Sequence, residues 1–232
     1  MFSRLRTWLF GSQAELALKA LLYQWSEHQR NNFADFKGDP VAAVSADLAS
    51  AGASSESLPV LICADANKAI RILAMVKAGL ERQLDCEDSL IAALLDESES
   101  VRRMAARVLV ELGTVRGLAA VVAGNKHGHG IRTSAAQRLK EHGTNAEPAI
   151  PALLKLLGEH RTNWRSNMWA AFALVEIGPK ALPYLIHAIR CGSSRGMSWA
   201  AFALIHRGDF TDIPEDVVEV LIQYEEDEQQ GT

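Results

Sequence analysis

The sequence predicts an all-α protein, an α-α superhelix of stacked helical hairpins, on three observations. One segment is written twice: Arg165-Ser-Asn-Met-Trp169-Ala-Ala-Phe172-Ala-Leu174 returns thirty residues later as Arg195-Gly-Met-Ser-Trp199-Ala-Ala-Phe202-Ala-Leu204. Its frame, Ala-Ala-x-x-apolar-x-x-x-Gly, starts at Ala105, Ala135, Ala170 and Ala200 and closes on Gly113, Gly143, Gly178 and Gly208, in steps of 30, 35 and 30 residues. A looser copy closes on Gly79. A short apolar segment precedes each Ala-Ala helix: Leu90 to Leu95, Leu118 to Val122, Ile150 to Leu157, and Leu182 to Ile189. Self-similarity at such a period marks units that bury their apolar faces only against neighbours.

Within each unit the second helix explains itself. Val101, Ala105, Leu109 and Leu112 fall at i, i+4, i+8 and i+11 and so share one face. Paired alanines let backbones approach closely, and the closing glycine suits a left-handed C-cap where a Cβ is penalised.

The run Leu94-Leu-Asp96-Glu-Ser-Glu-Ser-Val101-Arg102-Arg-Met-Ala105-Ala-Arg-Val-Leu109-Val-Glu-Leu-Gly113 resembles the HEAT repeat, in the short form found in phycobilisome-lyase-like proteins. The resemblance covers roughly residues 85 to 224 and departs where the Arg102 position becomes Asn167 and then Met197. It implies a right-handed α-solenoid. Proteins with this fold are mostly binding scaffolds, with a few enzymes among them, so function has to be argued from the site.

The chain in order reads as one continuous domain. Residues 1–57 are expected to be capping helices and a linker, 58–224 the repeat array with its best copies in 85–208, and 225–232 an acidic, disordered tail. Ser12 and Glu15 form a capping box that opens a helix to about Arg30. Asp39-Pro40 starts a second, ending near Ser50. Ala51 to Ser57 is linker-like. From Leu58 to Gly79 the pattern is helical again, with Ile70, Leu73 and Val76 on one side and Lys68, Arg71 and Lys77 elsewhere. A last helix is expected from about Pro214 to Tyr224, ahead of the frayed Glu225-Glu-Asp-Glu-Gln-Gln.

With 232 residues, 48% apolar and 22% charged, the chain can bury a substantial core. A net charge of −4 argues against general nucleic-acid binding. It also disfavours a DNA-handling role of the kind that helical-repeat glycosylases have. Three scattered cysteines, Cys63, Cys86 and Cys191, fit a reducing, cytoplasmic setting. No apolar run reaches the ~18 residues a bilayer span needs. Residues 1–10, basic and partly apolar, pack on the end of the array or touch a membrane surface.

The best site candidates lie on the last two second helices. Arg165, Trp169, Phe172 and Glu176 form one row, and Arg195, Trp199, Phe202 and His206 form the next, clear of the core set Ala173, Leu174 and Ile177. Earlier repeats hold largely polar residues there: Ser100, Met104, Arg107 and Glu111, then Gly130, Ser134, Gln137 and Glu141. Trp, Phe and Arg anchor protein interfaces because they join large contact area to a polar handle. Arg165 over Trp169 and Arg195 over Trp199 are the expected cation–π pairs. The alternative is that the rings fill space between repeats.

The interhelix turns should line up along one edge, changing from acidic Asp96, Glu97 and Glu99 to His127, His129, His160 and Arg161, which suits an acidic partner group. His127-Gly-His129 lacks a Cys or carboxylate to complete a metal set. The His-Glu dipeptides of di-iron HEAT proteins occur only reversed, as Glu27-His28, Glu141-His142 and Glu159-His160. No Walker-type loop, GxSxG or HExxH motif is present, so neither a cofactor nor a metal is expected. The expected role is a non-catalytic scaffold that binds a protein partner through the concave face of its C-terminal repeats. The alternative, which rests on the resemblance, is a phycobilin-lyase-like or chaperone-like protein handling a flat, carboxylate-bearing ligand such as a bilin.

Overall fold

The computed structural model describes residues 58–64, 68–126, 128–159 and 163–230, and every regular element among them is helical. The helices expected from Ser12 to Arg30 and from Pro40 to Ser50, and the reading of residues 1–10, lie outside the described residues. No helix among the described residues is long and apolar enough to cross a membrane. The chain divides into two compact units between Leu112 and Gly113, at the closing glycine of one frame, and each is described by itself.

In the first unit the described helices are Leu58–Ala64 (α1), Lys68–Leu80 (α2), Glu87–Ala93 (α3) and Glu99–Leu112 (α4). The stretch expected as helical from Leu58 to Gly79 is thus two helices, and residues 65–67 lie outside the description. α1 packs on α2 and α3, and α4 packs on the same two. Val101, Ala105, Leu109 and Leu112 are all buried on α4, as the periodicity predicts.

Two arginines fasten the α3–α4 turn. Arg71, expected off the apolar side of α2, is buried, and its Nη2 reaches Asp96 Oδ1 at 3.2 Å. The same carboxylate oxygen accepts from the Ser98 amide at 2.8 Å. Arg102 Nη1 donates to the carbonyls of Asp96 and Glu97 at 2.7 and 2.8 Å, satisfying two acceptors of the turn between α3 and α4. The loose frame glycine Gly79 sits inside α2, and the left-handed residue that ends this segment is Arg82, at φ 51°.

Cys86 is fully buried at the end of a short 3-10 turn, Leu84–Cys86. Burial, then the charges of Asp85 and Glu81, pushes its thiol up to about 11. The thiolate is the reactive form, so at pH 8 Cys86 should resist a thiol reagent that modifies exposed Cys63 and Cys191. Its labelling should accelerate only as pH climbs toward 11 or on unfolding, as a stopped-flow thiol assay on the Cys63→Ser/Cys191→Ser variant would show. Fast reaction of that variant at pH 8 would contradict this.

The second unit holds Val115–Ala123 (α5), His129–Glu141 (α6), Ile150–Gly158 (α7), Trp164–Ile177 (α8), Leu182–Cys191 (α9), Ser194–Arg207 (α10) and Glu215–Gln230 (α11). Side chains cap three of these. Thr114 Oγ1 accepts from the Gly117 amide, Asn163 Oδ1 from Arg165 and Ser193 Oγ from Gly196, at 3.1 to 3.2 Å. Helices α5 and α7, and α7 and α9, pack side by side, as do α6 and α8, and α8 and α10. Each first helix also packs on its own second helix, and α11 closes on α9 and α10. The core between these rows is aliphatic and small: Leu118, Ala135, Ala136, Leu139, Leu153, Leu156, Ala170, Ala173, Leu174, Ala200 and Leu204 are all at 0% exposure.

The frame glycines at the ends of the second helices all take positive φ, where a Cβ is penalised. Gly113, Gly143, Gly178 and Gly208 have φ of 73°, 54°, 80° and 72°. At Gly178 the pairing with ψ −141° is one that essentially only glycine adopts.

The last helix differs from expectation. It continues past Tyr224 to Gln230, taking in the acidic run expected to be frayed. Val217 and Leu221 are buried, and Arg190 holds Asp216 through two hydrogen bonds of 2.8 and 2.7 Å. Once a turn is fixed in this way, adding residues is cheap, and Glu and Gln are good helix formers.

Candidate functional site

The aromatic row assembles as one ladder across α8 and α10. Trp169 meets Phe172 edge to face at 5.7 Å, and Trp199 meets Phe202 likewise at 5.4 Å. Phe172 reaches across to Phe202 at 5.8 Å and to His206 at 4.7 Å. Phe202 and the His206 ring lie nearly parallel, 5.9 Å apart. One helical turn brings each Trp over the Phe three residues on, and the packing of α8 on α10 joins the two rows.

The rings are half-buried. Trp169, Phe172, Trp199 and Phe202 are partly exposed, while Glu176 and His206 are exposed. The core beneath is supplied separately by Ala170, Ala171, Ala173, Leu174 and Ile177 on α8 and by Ala200, Ala201, Ala203 and Leu204 on α10.

The cations stand elsewhere than expected. Arg165 lies over Trp164, at 5.5 Å, and not over Trp169. Lys140 of α6, which periodicity did not single out, fills that place, 5.7 Å from the Trp169 ring and 5.8 Å from Phe172. It also stands 3.9 Å from Glu176. Its position follows from the packing of α6 on α8 and is invisible in one repeat read alone. Arg195 Nη1 points to the Glu159 carbonyl at 3.4 Å.

No family model matches this sequence, and no curated protein does. Its chemistry therefore has to be read from its own side chains.

Buried polar side chains recur at one frame position. At the place of Arg102 in the next repeat, Arg132 is 1% exposed. Its Nε donates to the Val122 carbonyl at the end of α5 at 3.0 Å, and its Nη1 to Glu159 Oε2 at 2.8 Å. Asn167, at the same place on α8, is also 1% exposed, and neither its Oδ1 nor its Nδ2 has a hydrogen-bond partner. The adjacent Ser166 shares a 2.7 Å hydrogen bond with Thr133. The departure from arginine at this position thus leaves a buried amide unsatisfied, which is uncommon in folded proteins.

Of the edge-loop candidates, His127, His160 and Arg161 lie outside the described residues, and His129 opens α6. Among the described residues no group of three or more His, Cys, Asp or Glu could hold a metal ion.

Proposed function

We propose that this chain is a non-catalytic, HEAT-like α-solenoid scaffold that binds a protein partner through its aromatic ladder. The observation that supports this best is the connected run of Trp169, Phe172, Phe202, His206 and Trp199, half-exposed and backed by a separate alanine-leucine core. In this reading the second helices line the concave side of the solenoid. Large rings with a cation beside them give contact area at low entropic cost, which is why Trp and Arg dominate interface hot spots. Lys140 beside Trp169 and Phe172, with Glu176 within reach, supplies polar groups that orient the partner's backbone or side chains.

The test is the Trp169→Ala/Trp199→Ala double variant, offered to a host lysate against the parent chain with bound proteins identified by mass spectrometry. Capture of a partner by the parent and its loss in the variant is expected, with the helical circular-dichroism spectrum retained. Equal capture by both would sink the reading. The same ring-and-cation surface would suit a flat, carboxylate-bearing ligand such as a bilin, and a coloured complex on mixing would favour that second reading.

A further inference from the structure

We propose that the edge of the Gly113–Thr232 unit formed by the N-termini of α6, α8 and α10 docks an Asp/Glu-rich segment of a protein partner. This narrows the partner class given above but stands on charge instead of rings. The net charge of −4 conceals a steep division. Residues 113–210 hold twelve Lys and Arg against five Asp and Glu, whereas residues 211–232 hold eight Asp and Glu and no Lys or Arg.

Packing gathers positive charge at one edge. Thr133 near the start of α6 touches Ser166 near the start of α8, and Arg195 in the first turn of α10 reaches Glu159, so the three N-termini lie together. Each brings the partial positive charge of a helix N-terminus, with one amide of α8 and one of α10 taken up by the Asn163 and Ser193 caps. Lys126 and Arg165 are exposed beside them, and Arg195 is half-buried. Glu159, the acidic residue of residues 113–210 that lies at this edge, is already engaged by Arg132. The other four acidic residues of the body are Glu141, Glu147, Glu176 and Asp209. The last three face Lys180, Lys140 and Arg207 respectively.

The same edge already binds one acidic helix. Arg190, in the last turn of α9, grips Asp216 of α11 with both prongs of its guanidinium. In that pair an arginine beside the row holds a carboxylate presented on protein. A duplex or long single strand carries charge along its whole length and would run on into the acidic residues of α11. A short acidic segment need only span three helices, about 20 Å or some six extended residues.

The experiment uses the full chain and a fluorescein-labelled oligo-glutamate peptide of about eight residues, read by anisotropy. Binding at about 50 mM salt, weakened at about 300 mM, is expected. The Arg165→Glu/Arg195→Glu variant should bind at least about tenfold more weakly, because two favourable charges become unfavourable. Trp169→Ala/Trp199→Ala should bind the peptide like the parent, so failure here and failure of the ring ladder are read separately. Three results would overturn the proposal. These are no peptide binding at low salt, unchanged binding by the charge-reversed variant, or tighter binding of a single-stranded DNA probe of equal charge that the same variant loses.

Discussion

Glu159→Ala is expected to destabilise the Gly113–Thr232 unit by about 3–5 kcal/mol, while Arg132→Met changes its stability by less than about 1 kcal/mol. The asymmetry follows from burial. The Arg132 side chain is 2% exposed and that of Glu159 is 24% exposed, with 2.8 Å between Nη1 and Oε2. Removing the carboxylate leaves a guanidinium buried without its counter-charge. Removing the guanidinium replaces it with a thioether of similar length and leaves Glu159 close enough to water to be solvated. The Val122 carbonyl loses one donor, which is the main cost of the methionine. Guanidinium denaturation of the full chain, fitted for the transition of this unit, measures both. Equal losses would mean that the pair acts as an exposed one.

The second large effect separates core from surface on a single helix. Leu174 is at 0% exposure, and Leu174→Ala should cost about 3 kcal/mol, the usual sum of lost burial and a residual cavity. Trp169→Ala, five residues earlier and removing a much larger side chain, should cost only about 1 kcal/mol. Its ring is half-exposed and forfeits an edge-to-face contact with Phe172 and the approach of Lys140. If the Trp169 variant proved the less stable of the two, the ladder would be core packing and the docking surface would be lost with it.

Much of the helical reading is legible in the sequence. The paired alanines and closing glycines placed second helices correctly at Glu99–Leu112, His129–Glu141, Trp164–Ile177 and Ser194–Arg207. Those glycines have the positive φ the frame implied. The frame failed at Gly79, where a helical position merely happens to be glycine and Arg82 takes the left-handed turn. Arg71 was misplaced because a 3.6-residue period assigns faces by hydrophobicity, and a charged residue can enter a core if a carboxylate such as Asp96 awaits it. Bulk charge is also a coarse measure, since −4 sums +7 over residues 113–210, −8 over 211–232 and −3 over 1–112.

By itself the sequence determined that the described residues are helical, where the second helices between Glu99 and Arg207 lie, and which rings share a face with which. These are local properties, written in spacing and capping over a turn or two. Only tertiary structure decided that Lys140 and not Arg165 stands over Trp169, that Phe172 joins the two rows, that Arg132 finds Glu159, and that Asn167 finds nothing. Those outcomes depend on how one helix is rotated and offset against the next. A repeat period fixes the order of the helices, but the packing of side chains between them fixes their rotation.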